Sequence, residues 1–245
     1  MPAAPPLIPF LHYRLSAASL TTMISVLHEE TLRTRTEPAL VVTLNPEIVM
    51  QAEHNEAVKR TIMNAQYVVA DGIGVVWGTK QLGHEVPGRV PGVELAMGLL
   101  KAGDERMRVF LLGGKPGVSE RAAATVERDY AARVAGHHHG YFDRENADEI
   151  VSLVRASGAN ILLAGLGEGQ EEFLAAHAAR WGVNVMIGVG GTLDVLAGEV
   201  KRMPAITQTL RLEWLFRILF DRARWHRFPR LLNYVRFILQ QKRRR

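Results

Sequence analysis

The 245-residue chain contains no cysteine. That excludes a disulfide framework, a thiolate metal site and a thiol nucleophile, and it fits a reducing compartment. It also lacks any uncharged apolar run approaching the roughly 18–20 residues that a membrane-spanning helix requires. The opening Met1-Pro2-Ala3-Ala4-Pro5-Pro6 has no basic segment, so no signal peptide is expected and the expected location is cytoplasmic. No Asp-x-Asp triplet occurs, the pattern commonly used to hold a nucleotide diphosphate through a divalent cation. There is no internal repeat and no long linker.

What is present is a hydrophobic content of 47%, enough for one large α/β domain or a domain with an appendage. Ala39-Leu40-Val41-Val42 and Tyr67-Val68-Val69 are short, β-branched apolar runs that end in turn residues, the signature of inner strands in a parallel sheet. The pattern predicts strands over 39–44, 66–70, 108–112, 160–164 and 183–187. It predicts helices over 17–32, 47–64, 73–81, 92–102, 117–132, 145–156, 170–181 and 192–198. Residues 1–14 are Pro-rich and expected to be irregular. Alternating strands and helices imply parallel pairing with crossovers, hence a Rossmann-like α/β sheet flanked by helices.

Charge is unevenly distributed. Residues 211–245 hold eleven basic side chains against two acidic ones, so that segment is +9 while the rest of the chain is −4. From Thr207 onward Leu210, Trp214, Leu215, Ile218 and Leu219, then Trp225, Phe228, Leu231, Leu232, Val235 and Ile238, recur at helical spacing. Arginines fill the positions between them. The reading is an α/β catalytic domain over 1–206 and a basic amphipathic helical appendage over 207–245, broken near Pro229. Such an appendage suits a peripheral place on the inner leaflet, with basic residues on anionic lipid and Trp214, Trp225 and Phe228 at the interface. The alternative is that its apolar stripe packs on the body or across a subunit interface.

In open α/β sheets the ligand crevice lies beyond the carboxyl ends of the strands. Thr43, Asn45 and Asp71 follow two predicted strands and should share one rim, with Arg89 on a nearby loop. Asp71 in a glycine turn is placed to accept a proton from a bound hydroxyl; the bland alternative is a cap on the helix after Gly72. Asn45-Pro46-Glu47 equally reads as an N-cap and first helical turn. Arg89 can neutralise a departing diphosphate, or be an exposed loop arginine. Gly113-Gly114 after Phe110-Leu111-Leu112 forms a glycine turn of the kind that cradles phosphate with backbone N–H groups, although it is not a Walker A loop.

These pieces together resemble the WecG/TagA/CpsF glycosyltransferases (glycosyltransferase family 26), from about Leu40 to about Arg230. The motifs are T-x-N-P-E at Thr43–Glu47, A-D-G-x-G at Ala70–Gly74 and R-x-x-G at Arg89–Gly92, followed by the glycine turn at Gly113. Gly140-Tyr141-Phe142, Gly165-Leu166-Gly167 with Gln170-Glu171, and Gly190-Gly191-Thr192-Leu193-Asp194 come next. Arg202-Met203-Pro204 and Leu212-Glu213-Trp214 with Arg217 complete the series. The resemblance implies Asp71 as general base, with Thr43, Asn45, Arg89 and Gln170 as catalytic partners. It implies substrate contacts at Gly72, Gly74 and Gly92, at Gly113, Gly114, Gly190 and Gly191, and at Asp194, Arg202, Arg217 and Arg224. Two departures stand out: the segment between Gly167 and Gln170 is shortened to Glu168-Gly169 and lacks the usual basic residue, and Glu94 replaces an aspartate.

The function so implied is inverting, metal-independent transfer from a UDP-sugar to a hydroxyl of a polyprenyl-diphosphate-linked sugar. It belongs to cell-surface polysaccharide synthesis, teichoic acid or exopolysaccharide, with no cofactor. Expected partners are the two substrates and the membrane face, not nucleic acid; a homo-oligomer is left open. One alternative is a nucleotide-binding Rossmann oxidoreductase, since Gly72-x-Gly74 and Gly188-x-Gly190 follow strands. Their third fingerprint positions, however, are Trp77 and Leu193. The other is a nucleic-acid binder through the tail, at an overall pI near 9.7, but no reading motif is visible. His137-His138-His139 invites a metal, against which consecutive side chains point in divergent directions.

Overall fold

The chain opens with an antiparallel hairpin, β1 (Leu7–Phe10) and β2 (Tyr13–Ser16), where its prolines predict irregular structure. Pro9 lies opposite Arg14 on an edge strand, a place where a missing N–H breaks no inner ladder. Phe10, Tyr13 and Leu15 turn inward and are fully buried or nearly so, which gives the segment its own share of the core. The computed structural model describes residues 3–33, 36–199 and 227–244. α1 (Leu20–Leu32) follows, capped by Ser19, whose hydroxyl accepts the Thr22 N–H at 3.1 Å.

The central sheet has six parallel strands: β3 (Ala39–Leu44), β4 (Tyr67–Ala70), β5 (Arg108–Gly113), β6 (Arg133–His138), β7 (Ile161–Gly165) and β8 (Val185–Gly188). They lie in the order β4-β3-β8-β7-β5-β6. β3 is buried at every position, as an inner strand covered on both faces must be. Between strands run α2 (Pro46–Ala52), α3 (Glu56–Asn64), α4 (Ile73–Gln81), α5 (Gly92–Ala102), α6 (Val118–Asp129), α7 (Asp148–Ala156) and α8 (Gln170–Ala176). The short α9 (Thr192–Leu196) follows β8, and α10 (Arg227–Arg243) closes the described chain. One core layer joins the β1–β2 hairpin, α2, α3, α7, α8 and α10 to one face of the sheet; α1, α5, α6 and α9 cover the other.

Three differences from the sequence reading have local causes. The helix predicted over 47–64 is two helices, because Asn55 stops the first and caps the second by accepting the Ala57 and Val58 N–H groups at 2.9 and 3.3 Å. β6 was not predicted: it is a partly exposed edge strand of mixed composition, with Gly136 set against the Phe110 ring. The helix predicted over 170–181 ends at Ala176 and is followed by a 3-10 turn over Ala178–Arg180.

The last helix docks on the body. Tyr234 and Ile238 are fully buried, and the Tyr234 hydroxyl donates to the Gly74 carbonyl at 3.0 Å. Gly78 must be bare here, since a side-chain carbon would come within 2.4 Å of the Tyr234 oxygen. Arg230 pairs with Glu47 at 2.6 Å, and Lys242 donates to Gln81 at 3.0 Å. Both are at the surface, where such contacts contribute about 0–1 kcal/mol, so the buried tyrosine dominates the docking. Pro229 lies within the described helix, and the chain before Arg227 lies outside the described residues.

Truncating a buried aromatic side chain costs about 3–5 kcal/mol. Tyr234→Ala should therefore raise amide exchange along 231–243 by about a hundredfold or more while β3 and β7 keep their protection. Mass-spectrometric hydrogen exchange on the intact chain measures this.

Candidate active site

The rim is stitched together by backbone. The Asp71 N–H donates to the Leu44 carbonyl at 2.8 Å, and the Val90 N–H donates to the Ala70 carbonyl at 2.8 Å. The ends of β3 and β4 and the loop before α5 therefore meet. Asp71 is half-buried, and its Oδ2 lies 3.5 Å from the amide of Gly92, the first residue of α5. It does not cap the helix that follows it: α4 is capped by Gly72 at φ +85°, with no side-chain cap bond. The carboxylate instead faces the positively polarised end of a different helix. A side chain at Gly92 would come 3.2 Å from Thr43 Oγ1, so Thr43, Asp71 and Gly92 form one group.

Thr43 is 6% exposed and donates to the Gly188 carbonyl at 3.3 Å. Asn45 is the N-cap of α2: its Oδ1 accepts the Glu47 and Ile48 N–H groups at 2.9 and 3.0 Å. The cap uses the carbonyl oxygen and leaves the amide nitrogen out of it. Arg89 pairs with Glu94 at 3.1 Å, both partners being about a quarter exposed (26% and 28%), which fixes a cation beside α5. Glu94 thus holds the loop arginine in place.

A second part of the crevice lies between β5 and β7. The chain leaves β5 toward β6 and leaves β7 in the opposite direction toward β8, so a topological switch point falls here. Its floor is bare backbone. A side chain on Gly113 would meet the Gly165 carbonyl oxygen at 2.4 Å, and one on Gly165 would meet that of Gly190 at 2.5 Å. Gly114 adjoins this floor, its N–H donating to the Gly165 carbonyl at 3.2 Å. Gly191 precedes α9, and Asp194 lies half-buried in its first turn. Gly74 is occupied otherwise: it packs against the Pro46 ring and Tyr234. Arg202, Arg217 and Arg224 lie outside the described residues.

Gln170 joins the two parts. Its Oε1 accepts the Leu166 N–H at 3.2 Å, and its carboxamide rests on the Cα of Gly188, whose carbonyl accepts a hydrogen bond from the Thr43 hydroxyl. The short turn before it uses Gly167 at φ +74° and Gly169 at φ +78°, and Arg144 from the β6–α7 connection donates to the Leu166 and Glu168 carbonyls. A guanidinium from elsewhere in the chain thus reaches the turn that has no basic residue of its own. Burial pushes the neighbouring Glu171 carboxyl above the ordinary range, and the Gln170 N–H donated to it at 2.9 Å opposes that shift.

Sequence reasoning missed Gly165, Gly188 and Glu171 as parts of this site. Their signal was small, a glycine ending each of two apolar runs and an acid beside a glutamine. His137, His138 and His139 lie at the end of β6, where the rings of His138 and His139 stack 4.2 Å apart. Among the described residues no group of three or more His, Cys, Asp or Glu is arranged to hold a metal ion.

The profile of the Glycosyl transferase WecG/TagA/CpsF family matches residues 8–245. Similar relatives include the N-acetylglucosaminyldiphosphoundecaprenol N-acetyl-beta-D-mannosaminyltransferases of Staphylococcus aureus strains NCTC 8325 / PS 47 and COL. Each is 38% identical over 205 residues, covering 83% of this chain and 79% of the relative. The chain belongs to the WecG/TagA/CpsF family and is a glycosyltransferase.

Asn45 offers a clean separation of two roles. Asn45→Asp keeps the capping oxygen and should leave stability within about 0.5 kcal/mol, whereas Asn45→Ala should cost about 1 kcal/mol. If the amide nitrogen serves a ligand, both variants should lose transfer by a similar factor. Urea unfolding beside a nucleotide-release assay reads both effects.

Proposed function

We propose that this glycosyltransferase moves N-acetylmannosamine from its UDP conjugate to a hydroxyl of N-acetylglucosaminyl-diphosphoundecaprenol, with inversion and without a metal. The observation that carries the reading is Asp71: a half-buried carboxylate beyond β4, turned toward the N-terminus of α5 and grouped with Thr43. The named activity of the relatives supports the choice of sugars.

In this scheme Asp71 accepts the proton of the acceptor hydroxyl as its oxygen attacks the anomeric carbon from the face opposite UDP. The bond between that carbon and the diphosphate oxygen breaks, and UDP leaves with the electron pair. Arg89, held by Glu94, would offset the developing negative charge. Thr43, Asn45 and Gln170 orient the sugars, and the bare-backbone floor at Gly113, Gly165 and Gly190 admits the nucleotide closely.

The lipid-linked acceptor requires a membrane surface. No helix among the described residues is long and apolar enough to cross one. In this reading residues 207–245 form an appendage that rests the 1–206 catalytic body on the cytoplasmic leaflet. The outer side of α10 supports it: Leu232, Arg236, Leu239 and Arg243 are exposed at helical spacing, opposite the docked Tyr234 and Ile238.

Incubation with UDP-N-acetylmannosamine and a short-chain polyprenyl-diphosphate N-acetylglucosamine should release UDP and yield a β-linked product by NMR. Asp71→Asn should lower turnover by a factor of about a thousand or more while retaining donor binding; normal turnover in that variant would sink the assignment of the base. Separately, Arg236→Glu with Arg243→Glu should weaken binding to phosphatidylglycerol vesicles at least about tenfold, at roughly 1 kcal/mol for each basic residue. Equal binding to neutral vesicles would contradict the membrane role of this helix.

A further inference from the structure

Gln170 is the first residue of α8, and its carboxamide has only one workable orientation. Oε1 faces the Leu166 N–H at 3.2 Å, and Nε2 faces the Glu171 Oε1 at 2.9 Å. Turning the amide over would set a donor against a donor and an oxygen against a carboxylate. Both side chains are almost buried, at 7% and 6% exposure, so water is poorly placed to compensate. Both also press on Gly188, where a side-chain carbon would lie 2.8 Å from Gln170 Nε2 and 2.8 Å from Glu171 Oε1. The Gly188 carbonyl then accepts from Thr43. An ordered path therefore runs from Glu171 through Gln170 and Gly188 to Thr43, and one N–H of Gln170 Nε2 is left without a partner among the described residues.

We propose that Glu171 is a positioning residue for glycosyl transfer: it locks the Gln170 carboxamide so that the remaining Nε2–H stands at the crevice as a preset donor to a substrate oxygen. This rests on the transfer reading above. Glu171 itself touches neither substrate. Its role is to decide that Gln170 presents a donor rather than an acceptor, before any sugar arrives. Preset donors are effective because no reorganisation is needed during the reaction.

The test compares Glu171→Gln, which keeps an accepting oxygen, with Glu171→Met, which keeps the volume and removes it. Glu171→Gln should transfer within about threefold of the parent, and Glu171→Met should lose on the order of a hundredfold in kcat/KM. A rise in KM for the UDP-sugar alone assigns the oxygen to the donor, and a rise for the lipid-linked sugar alone assigns it to the acceptor. An independent readout is the side-chain amide NMR signal of Gln170, identified by its loss in Gln170→Leu. It should be resolved and slow to exchange in the parent and Glu171→Gln, and averaged in Glu171→Met. Should Glu171→Met fail to fold, Gly188→Ala crowds both the Gln170 carboxamide and the Glu171 carboxylate, breaks their register, and should give the same losses. Parent-like transfer by a folded Glu171→Met, or equal damage from Glu171→Gln, overturns the proposal. If the parent transfers to no lipid-linked acceptor, the transfer reading fails, and the amide signal alone decides whether Glu171 holds Gln170.

Discussion

The Thr43 hydroxyl reaches the Gly188 carbonyl at a point where β3 and β8 have stopped pairing. Their ladder runs only from Ala39 with Val185 to Val41 with Ile187, whereas β3 continues beside β4 as far as Leu44 with Ala70. Beyond Val41 these two strands part company, and a buried hydroxyl must find its acceptor across the gap. That crossing links the rim at Asp71 to the β8 end that supports Gln170. The crevice thus follows from where one ladder ends, with glycines at Gly92, Gly165 and Gly188 keeping side chains out of it.

The parts legible in the sequence are those with one dominant physical cause. β3, β5, β7 and β8 are inner strands, and β4, although it ends the sheet, is buried at three of its four positions; burial writes a short apolar run for each. Residues directly after those runs had to lie at the carboxyl rim, which is how Thr43, Asn45 and Asp71 could be placed together. The more exposed edge elements carry no such mark. β1 sets Pro9 beside its one buried phenylalanine, and β6 mixes glycine and histidine because one of its flanks meets solvent. The break at Asn55 was missed because the apolar period continues through it, although the asparagine cap was in plain view.

The site divides in the same way. Asp71 was readable as either base or cap, and only coordinates distinguish a carboxylate facing α5 from one folded onto α4. Asn45 was read both ways, and its cap is real, so a role toward a ligand would fall to its amide nitrogen. Gly188 and Glu171 stood in quoted patterns but were not read as site residues, because their importance is a contact between segments far apart in the chain. No local pattern reports that a carboxamide from α8 lies on the Cα of β8.

The two faces of α10 join the surface to this chemistry. Its inner face is anchored on the helices that follow the two site strands: Tyr234 bonds to Gly74 of α4, and Arg230 pairs with Glu47 of α2. Those helices begin immediately after Asp71-Gly72 and Asn45, so the helix carrying the exposed leucines and arginines is fastened within a turn of the proposed catalytic residues. The ion pair is exposed and weak, whereas the tyrosine is buried and bonded, so the attachment to α4 dominates. A lipid surface gripping the outer face would therefore be registered most directly to the segment that bears Asp71. That geometry suits a reaction whose acceptor arrives from the membrane: the proposed proton acceptor would keep a set distance from the plane in which such a substrate is anchored.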